Sequence, residues 1–186
     1  MVDAAARLLI DEGPDAVTHR RVAAAAGVPA GSASYYFPNR SALYAAAVRA
    51  AEHLRSTSAQ QHANALPQRD RSAHSTARLL LETLYAPALD EAVVSRRLQP
   101  MLEATTDPEL RPIMMASRPA LLEALRIVLS RSGWSDIAQS TDFDLIVRML
   151  DAALLHSAAS GDDPVHDAVD VVARLLELVR QAADRA

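Results

Sequence analysis

The side chains best suited to bind another molecule are concentrated between residues 18 and 40. This segment holds a threonine, two serines, three arginines and two adjacent tyrosines, namely Thr18, Arg20, Arg21, Ser32, Ser34, Tyr35, Tyr36 and Arg40. Hydroxyl and guanidinium groups donate hydrogen bonds to phosphate oxygens, and serine hydroxyls also reach the edges of bases. The segment therefore has the chemistry of a nucleic-acid contact surface.

Residue patterns for catalysis or metal binding are weak by comparison. None of the six histidines stands in a metal-binding spacing, and neither a G-x-S-x-G motif nor a phosphate-binding glycine loop occurs. Asp162, Asp163, Asp167 and Asp170 are close together, but helix capping and a solvated helix face account for them. The chain has no cysteine, which excludes disulfides, thiol catalysis and cysteine zinc sites. We expect no catalytic residues, no metal and no cofactor.

The composition favours a protein built only from helices. Half of the 186 residues are hydrophobic, 4% are aromatic and five are glycine. Alanine and leucine, which dominate, are strong helix formers, and no strand pattern with hairpin turns is present. No apolar run approaches the ~20 residues of a membrane helix, and residues 1–7 do not resemble a signal peptide. We expect an all-α protein in the cytoplasm.

Charge is distributed unevenly along the chain. The net charge is −4, but residues 18–55 contain five arginines and one glutamate, whereas residues 131–186 contain nine aspartates, one glutamate and five arginines. A basic end that meets a polyanion and an acidic body that does not would explain this asymmetry. Arg49 and Arg55, at the end of the basic segment, are interpreted as solvated rather than bound to DNA.

The elements around the basic segment predict a helix-turn-helix. Helices are expected over residues 2–11, 19–26 and 30–37, with Thr18 as the N-cap of the second. Gly27 ends that helix, and only two residues separate it from the third. The run of alanines before the glycine lets the two helices cross closely. In this motif the second helix enters the major groove of DNA.

The predicted second helix of the motif has small residues at its start. Gly31 would let the backbone approach the base edges, and Ser32 and Ser34 could hydrogen-bond bases or phosphates. A plain helical hairpin has the same pattern. Tyr35 and Phe37 could then be core residues, which is the expected role of Phe37 in either case.

The rest of the chain predicts further helices. A fourth helix is capped by Asn39, and residues 53–75 are interpreted as its end, a loop and the start of the next helix. Later helices are expected over residues 77–86, 90–103, 109–132, 143–160 and 164–183. Kinks or breaks are expected at Pro87, Pro100, Pro108, Pro112 and Pro119. Gly161 ends one helix, and Asp163 caps the last one.

Residues 3–48 are similar to the DNA-binding domain of the TetR family of transcriptional regulators. The shared features are Glu12-Gly13, Thr18, Val22-Ala23, Ala26-Gly27-Val28, Gly31-Ser32, Tyr35-Tyr36-Phe37, Asn39-Arg40 and Leu43. The resemblance implies phosphate contacts by Thr18, Arg20, Arg21, Tyr35, Tyr36 and Arg40, and base contacts by Ala30, Gly31, Ser32 and Ser34. We expect a DNA-binding domain over residues 1–46 and a helical ligand-binding and dimerisation domain over residues 47–186.

The last two predicted helices are apolar nearly all round, which predicts burial on more than one side. The residues expected at a dimer interface are Phe143, Val147, Leu150, Leu154, Val169, Val172 and Leu176. Two such helices from each subunit would form a four-helix interface with two-fold symmetry. The alternative is that both helices close the core of one subunit. His156 is interpreted as a buried or interface residue, and contact with a ligand is the alternative.

The middle helices carry methionines and aromatic residues near prolines. Methionine adapts to an occupant, and imperfect packing leaves cavities between helices. The residues expected to bind a ligand are Tyr85, Met101, Met114, Met115 and Trp134, with Glu82, Arg97 and Glu103 as candidate polar anchors. An ordinary core is the alternative. The resemblance to TetR regulators implies a small-molecule effector, which we expect to be largely apolar.

Together these patterns predict a ligand-responsive transcriptional repressor. It would bind a palindromic double-stranded DNA operator as a homodimer and be released by the effector. A helical adaptor or enzyme without sequence-specific DNA binding is the alternative. The coincidence of basic charge, turn and tyrosines favours the regulator.

Overall fold

The computed structural model describes residues 1–183 and 185, and all regular structure within them is helical. The prediction of an all-α fold is confirmed. The α-helices are α1 (Val2–Glu12), α2 (His19–Ala25), α3 (Ala30–Tyr36), α4 (Arg40–Ala65), α5 (Ala73–Leu84), α6 (Glu91–Glu103), α7 (Leu110–Arg131), α8 (Ser135–Gln139), α9 (Asp142–Ser160) and α10 (Pro164–Ala183). A short 3-10 helix, Pro14–Ala16, follows α1. None of the described helices is both long and apolar enough to cross a membrane.

The predicted helix caps are confirmed. Thr18 Oγ1 accepts a hydrogen bond from the backbone N–H of Arg21 at 3.3 Å. Asn39 Oδ1 accepts from the N–H three residues later at 2.8 Å, and Asp163 Oδ1 from the N–H two residues later at 2.9 Å. Gly161 ends α9 with a φ of 78°. Each side chain satisfies an N–H group that has no partner inside its helix.

The middle of the chain departs from the sequence prediction in two ways. Pro100 lies inside α6 and Pro119 lies inside α7, so neither proline breaks its helix, and a kink at either position stays a prediction. The short helix α8 was not predicted, because five residues are too few to show a helical period.

One compact unit, here called the first unit, consists of residues 1–56 and 95–119. Its core combines residues of α1, α2 and α4 and the segment after α1 with Ala104, which follows α6, and residues at the start of α7. The buried members are Ala5, Leu9, Val17, Val22, Leu43, Ala45, Ala47, Val48, Ala104, Leu110 and Ile113. Helices α1 to α3 are short and rich in alanine, so Leu110 and Ile113 add apolar area that these helices do not supply themselves.

The second unit consists of residues 57–94 and 120–186. In it α10 packs against both α5 and α9. The residues expected at a dimer interface lie in the core of this unit instead: Phe143, Val147, Leu150, Leu154, Val169, Val172 and Leu176 are each at most 6% exposed. The most apolar stripe of α10 faces the chain's own core, because α5 and α9 both pack against it.

A different apolar stripe of α9 and α10 faces outward. Leu145, Met149 and Leu155 of α9 and Val171 and Leu178 of α10 are between 36% and 46% exposed. These residues, and not the buried stripe, are available to a partner.

Candidate nucleic-acid interface

The turn between α2 and α3 is built by backbone hydrogen bonds around one glycine. Gly27 has a φ of 66°, and its N–H donates to the carbonyl of Ala24 at 3.1 Å. The N–H of Val28 donates to the carbonyl of Ala23 at 3.0 Å. This pair of bonds ends α2 and turns the chain at once into α3. Ala23 and Ala33 are both fully buried, so small side chains fill the space beneath the turn.

A second contact joins the start of α2 to the end of α3. His19 Nε2 donates a hydrogen bond to the carbonyl oxygen of Phe37 at 2.9 Å. The first turn of α2 therefore lies beside the end of α3 that carries the tyrosines. Sequence reasoning missed this role of His19, because no local pattern pairs a histidine with a carbonyl 18 residues away.

The outward face of α3 presents the predicted contact residues to solvent. Ala33 is the buried residue of α3, whereas Tyr35 is 86% exposed and Tyr36 is 65% exposed. The two rings meet edge to face with centroids 5.3 Å apart. Ala30, Gly31 and Ser34 are exposed, and Ser32 is half-buried. Tyr35 is therefore not a core residue. Phe37 is half-buried and packs against the core of the first unit, as expected.

Gly31 is not required by the fold. Its φ is not in the left-handed region, and a Cβ atom added there would meet no atom within 4 Å. Glycine inside a helix is destabilising relative to alanine. A benefit of glycine at this position must therefore come from something outside the chain, such as a surface that approaches the backbone closely.

Two of the arginines expected to bind phosphates form ion pairs with acidic side chains. Arg21 pairs with Glu12 at 2.5 Å, and Arg40 pairs with Asp15 at 3.3 Å. All four side chains are substantially exposed, so these ion pairs contribute little stability. Arg20 is exposed as well. The pairs are weak enough to be exchanged for a phosphate oxygen.

Arg55 differs from the expectation of a solvated side chain. It is buried within the first unit and pairs with the buried Glu52, one turn earlier in α4. Arg49, on the same helix, is exposed as expected.

The aromatic residues expected to bind an effector lie in the second unit. Tyr85 and Trp134 are both buried there. The guanidinium carbon of Arg180 lies 4.1 Å from the centroid of the Trp134 ring, so this ring has a structural contact of its own.

The methionines of the same expected set lie in the first unit. Met101 and Met114 are half-buried, and Met114 packs against the core, whereas Met115 is 60% exposed. The whole set stays a prediction, with Met115 in the most open position.

Glu103 is already used within the first unit. Its Oε2 accepts a hydrogen bond from the Tyr44 hydroxyl at 2.6 Å, and its Oε1 accepts from Gln99 Nε2 at 3.0 Å. Burial, together with the hydrogen bond and negative charge of Glu103, raises the pKa of Tyr44 well above its ordinary value. Glu103 therefore serves the packing of α4 against α6, which makes it a poor anchor for an effector.

No group of three or more histidine, cysteine, aspartate or glutamate side chains that could hold a metal ion occurs within residues 1–183 and 185. The polar side-chain groups at the candidate interface around α2 and α3 are hydroxyl, phenol and guanidinium groups.

Comparison with known proteins covers most of the chain. The family model of bacterial regulatory proteins of the tetR family matches residues 1–47, and the model of the tetracyclin repressor-like C-terminal domain matches residues 67–178. No curated protein sequence matches the chain.

Solved structures with the same fold include the multidrug binding protein EbrR complexed with proflavin. The two chains are 27% identical, with a TM-score of 0.63 over 94% of this chain and 96% of that one. A TetR-family member (SCO1917) from Streptomyces coelicolor A3 is 28% identical, with a TM-score of 0.57 over 94% of each chain.

Proposed function

The chain belongs to the TetR family of bacterial transcriptional regulators, and on that premise we propose that it represses genes by binding a two-fold symmetric operator as a homodimer. Regulators of this family are ligand-responsive DNA-binding proteins. The observation that carries the proposal is the outward face of α3, where two adjacent tyrosines are 86% and 65% exposed. Burying such rings against DNA removes apolar surface from water and brings their hydroxyls to the phosphates. The proposal contains no catalytic step.

The residues of the interface divide into two roles. The phosphate contacts are Thr18, Arg20, Arg21, Tyr35, Tyr36 and Arg40, and the base contacts are Ala30, Gly31, Ser32 and Ser34. Phosphate contacts position the protein, and base contacts select the sequence. Arg21 and Arg40 reach phosphates by sharing or leaving Glu12 and Asp15, and the exposure of these ion pairs makes that exchange inexpensive.

The homodimer forms through the exposed stripe of α9 and α10. Leu145, Met149 and Leu178 represent this stripe. His156, two turns after Met149, is also exposed and lies on the same face of α9. Pairing of these helices with their symmetry mates buries the stripe and sets two copies of α3 about one turn of DNA (~34–36 Å) apart.

A small, largely apolar molecule releases the protein from DNA. The neighbour EbrR is described as a multidrug binding protein and was solved with proflavin, which supports a small-molecule effector here. The effector binds more tightly to a conformation of the dimer in which the two recognition helices cannot both contact their half-sites. The ratio of its affinities for the two conformations sets how far it lowers the affinity for DNA. Met101, Met114 and Met115 of the first unit are the proposed contacts, and Tyr85 and Trp134 of the second unit stay predictions. The protein acts in the cytoplasm, where the chromosome lies.

The test begins with selection of an operator from random DNA duplexes. Affinity for the selected duplex is then measured by fluorescence anisotropy over a range of salt concentrations. Combined replacement of Arg20, Arg21 and Arg40 by alanine should weaken binding to every sequence and flatten the salt dependence, because three phosphate contacts are lost.

The matched control replaces three exposed arginines of the second unit, Arg69, Arg78 and Arg174, by alanine. This variant should bind the operator as the wild type does. Failure to select any duplex, or equal affinity of the two triple variants, would instead support a helical adaptor or enzyme without sequence-specific DNA binding.

A further inference from the structure

A buried ion pair within α4 has features that packing alone does not explain. Glu52 is 6% exposed and Arg55 is 9% exposed, and Arg55 Nη2 donates a hydrogen bond to Glu52 Oε2. Ser117 Oγ donates to the same oxygen at 2.6 Å. The attraction between two buried charges offsets the loss of their water only if the remaining polar atoms are also satisfied. The Glu52 carboxylate accepts two hydrogen bonds. The polar atoms still to be satisfied are the other N–H donors of the Arg55 guanidinium.

The guanidinium of Arg55 retains donors that have no acceptor. Arginine carries five N–H donors. The Nε and Nη1 atoms of Arg55 are buried, and neither has a hydrogen-bond partner among the residues that the structure describes. Unpaired buried donors are costly, and a well-packed apolar side chain would avoid that cost. An acceptor from outside the chain, either an ordered water molecule or a bound compound, would satisfy these donors.

Another arginine with several internal contacts shows the contrast. Arg71 donates to the carbonyl oxygens of Pro67, Arg69 and Arg131, and so holds the segment before α5 against the end of α7. Its donors are used to fix backbone segments. Within residues 1–183 and 185 Arg55 has no such set of carbonyl acceptors, so its role is not to hold the backbone together.

We propose that Arg55 is the polar anchor of the effector site, and that the effector presents to it an uncharged carbonyl oxygen, as in a ketone, ester or amide. This inference rests on the proposed function of a ligand-responsive regulator and names the chemical class of its effector. Arg55 takes the place of Glu103 as the proposed polar anchor, because Glu103 is hydrogen-bonded to Tyr44 and Gln99.

The charge already present around Arg55 determines whether the effector presents a carbonyl or a carboxylate to it. Glu52 already balances the positive charge of Arg55. A second carboxylate beside Glu52 would place two negative charges around one guanidinium in a poorly solvated position, where like charges repel strongly. A carbonyl oxygen accepts the same N–H donors and adds no net charge.

The experiment uses compounds that share a skeleton and differ in one group. Diphenylmethane, benzophenone and diphenylacetate form one set, and butylbenzene, 4-phenyl-2-butanone and 4-phenylbutyrate form a second. Affinity for the full-length protein without DNA is measured by calorimetry and thermal shift. In parallel, the Nε–H resonance of Arg55 is followed by NMR in protein labelled with ¹⁵N-arginine. This resonance is assigned in uniformly ¹³C,¹⁵N-labelled wild type by through-bond correlation to the backbone of Arg55.

We expect the ketone of at least one set to bind about tenfold more tightly than its hydrocarbon, which is the size of effect expected for one hydrogen bond to a charged group. The ketone should also bind more tightly than the carboxylate and should shift the Arg55 Nε–H resonance. Arg55→Lys keeps the charge beside Glu52 and replaces the planar guanidinium donors by a single ammonium, so it should reduce the preference for the ketone and leave hydrocarbon affinity unchanged. Arg49→Lys, on the exposed face of the same helix, should behave as the wild type.

Three outcomes would overturn the proposal: equal binding of ketone and hydrocarbon, tighter binding of the carboxylates, or an Arg55 resonance that no ketone shifts. The NMR measurement is made on the wild type, so it stands even if Arg55→Lys does not fold. Operator binding is measured separately. If the protein binds its operator but shows no preference for the ketone, only the proposed effector class is wrong. If it prefers the ketone but binds no operator, only the proposed function is wrong.

Discussion

The Tyr44 hydroxyl donates a 2.6 Å hydrogen bond to the Glu103 carboxylate, which joins the first turns of α4 to the last residue of α6. A second bond, from Arg96 Nη1 to the carbonyl of Ile10 at 3.0 Å, joins α6 to α1. Residues 95–119 therefore belong to the same compact unit as the DNA-binding helices. The packing of this unit extends beyond the domain limit at residue 46 that we drew from the sequence.

Replacing Tyr44 by phenylalanine should lower the free energy of unfolding by about 1 kcal/mol at neutral pH, the usual net value of one hydrogen bond. The measurement is urea denaturation followed by circular dichroism. Tyr35→Phe is the control, because Tyr35 is largely exposed and lacks such a partner in the described chain.

The same pair of variants predicts a dependence on alkaline pH. The pKa of Tyr44 is raised in the folded protein, whereas tyrosine in the unfolded chain ionises near pH 10. The contribution of Tyr44 is therefore complete below about pH 10 and is lost as the pH rises from there towards the raised pKa. The stability difference between the wild type and Tyr44→Phe should shrink over this range. A difference that stays constant above pH 10 would contradict the assignment.

Gly31→Ala should separate stability from DNA binding. We expect the free energy of unfolding to rise by up to about 1 kcal/mol, because alanine is the better helix former and its Cβ meets no atom within 4 Å. Operator affinity should fall, since the added methyl group stands between α3 and the bases. Denaturation and anisotropy measure the two effects.

Gly27→Ala is the matched control for this substitution. Gly27 has a φ of 66°, and an alanine in that left-handed conformation costs about 1–2 kcal/mol. This variant should therefore lose stability where Gly31→Ala gains it. Unchanged operator affinity in Gly31→Ala would argue that α3 does not approach the bases closely.

Met149→Asp should shift the protein from dimer to monomer in light scattering at micromolar concentration. Met149 is 37% exposed within one chain, so the new carboxylate stays solvated in the monomer and is buried unfavourably only in the dimer. Val2→Asp adds the same charge at a similarly exposed apolar residue of α1 and should leave the oligomeric state unchanged. Equal molecular masses in solution for the wild type and Met149→Asp would show that α9 is not part of the dimer interface.

Much of the DNA-binding region follows from the sequence, because its signals are local. Thr18, Asn39 and Gly27 act on backbone groups a few residues away, so the caps and the turn between α2 and α3 could be predicted without knowledge of distant segments. The helical period also indicated which segments bury apolar residues.

Only the tertiary structure decided which apolar stripe of α9 and α10 faces the core. Both stripes have helical spacing, and for α10 the choice depends on α5, which is remote in the chain. The burial of Arg55 was equally invisible, because the hydrogen bond that Ser117 donates to its partner Glu52 spans 65 residues. The sequence determined the helices and the chemistry that they carry, since these depend on short-range hydrogen bonds and on periodicity. The tertiary structure decided which side chains lose their water, since burial depends on segments that the chain brings together only when it folds.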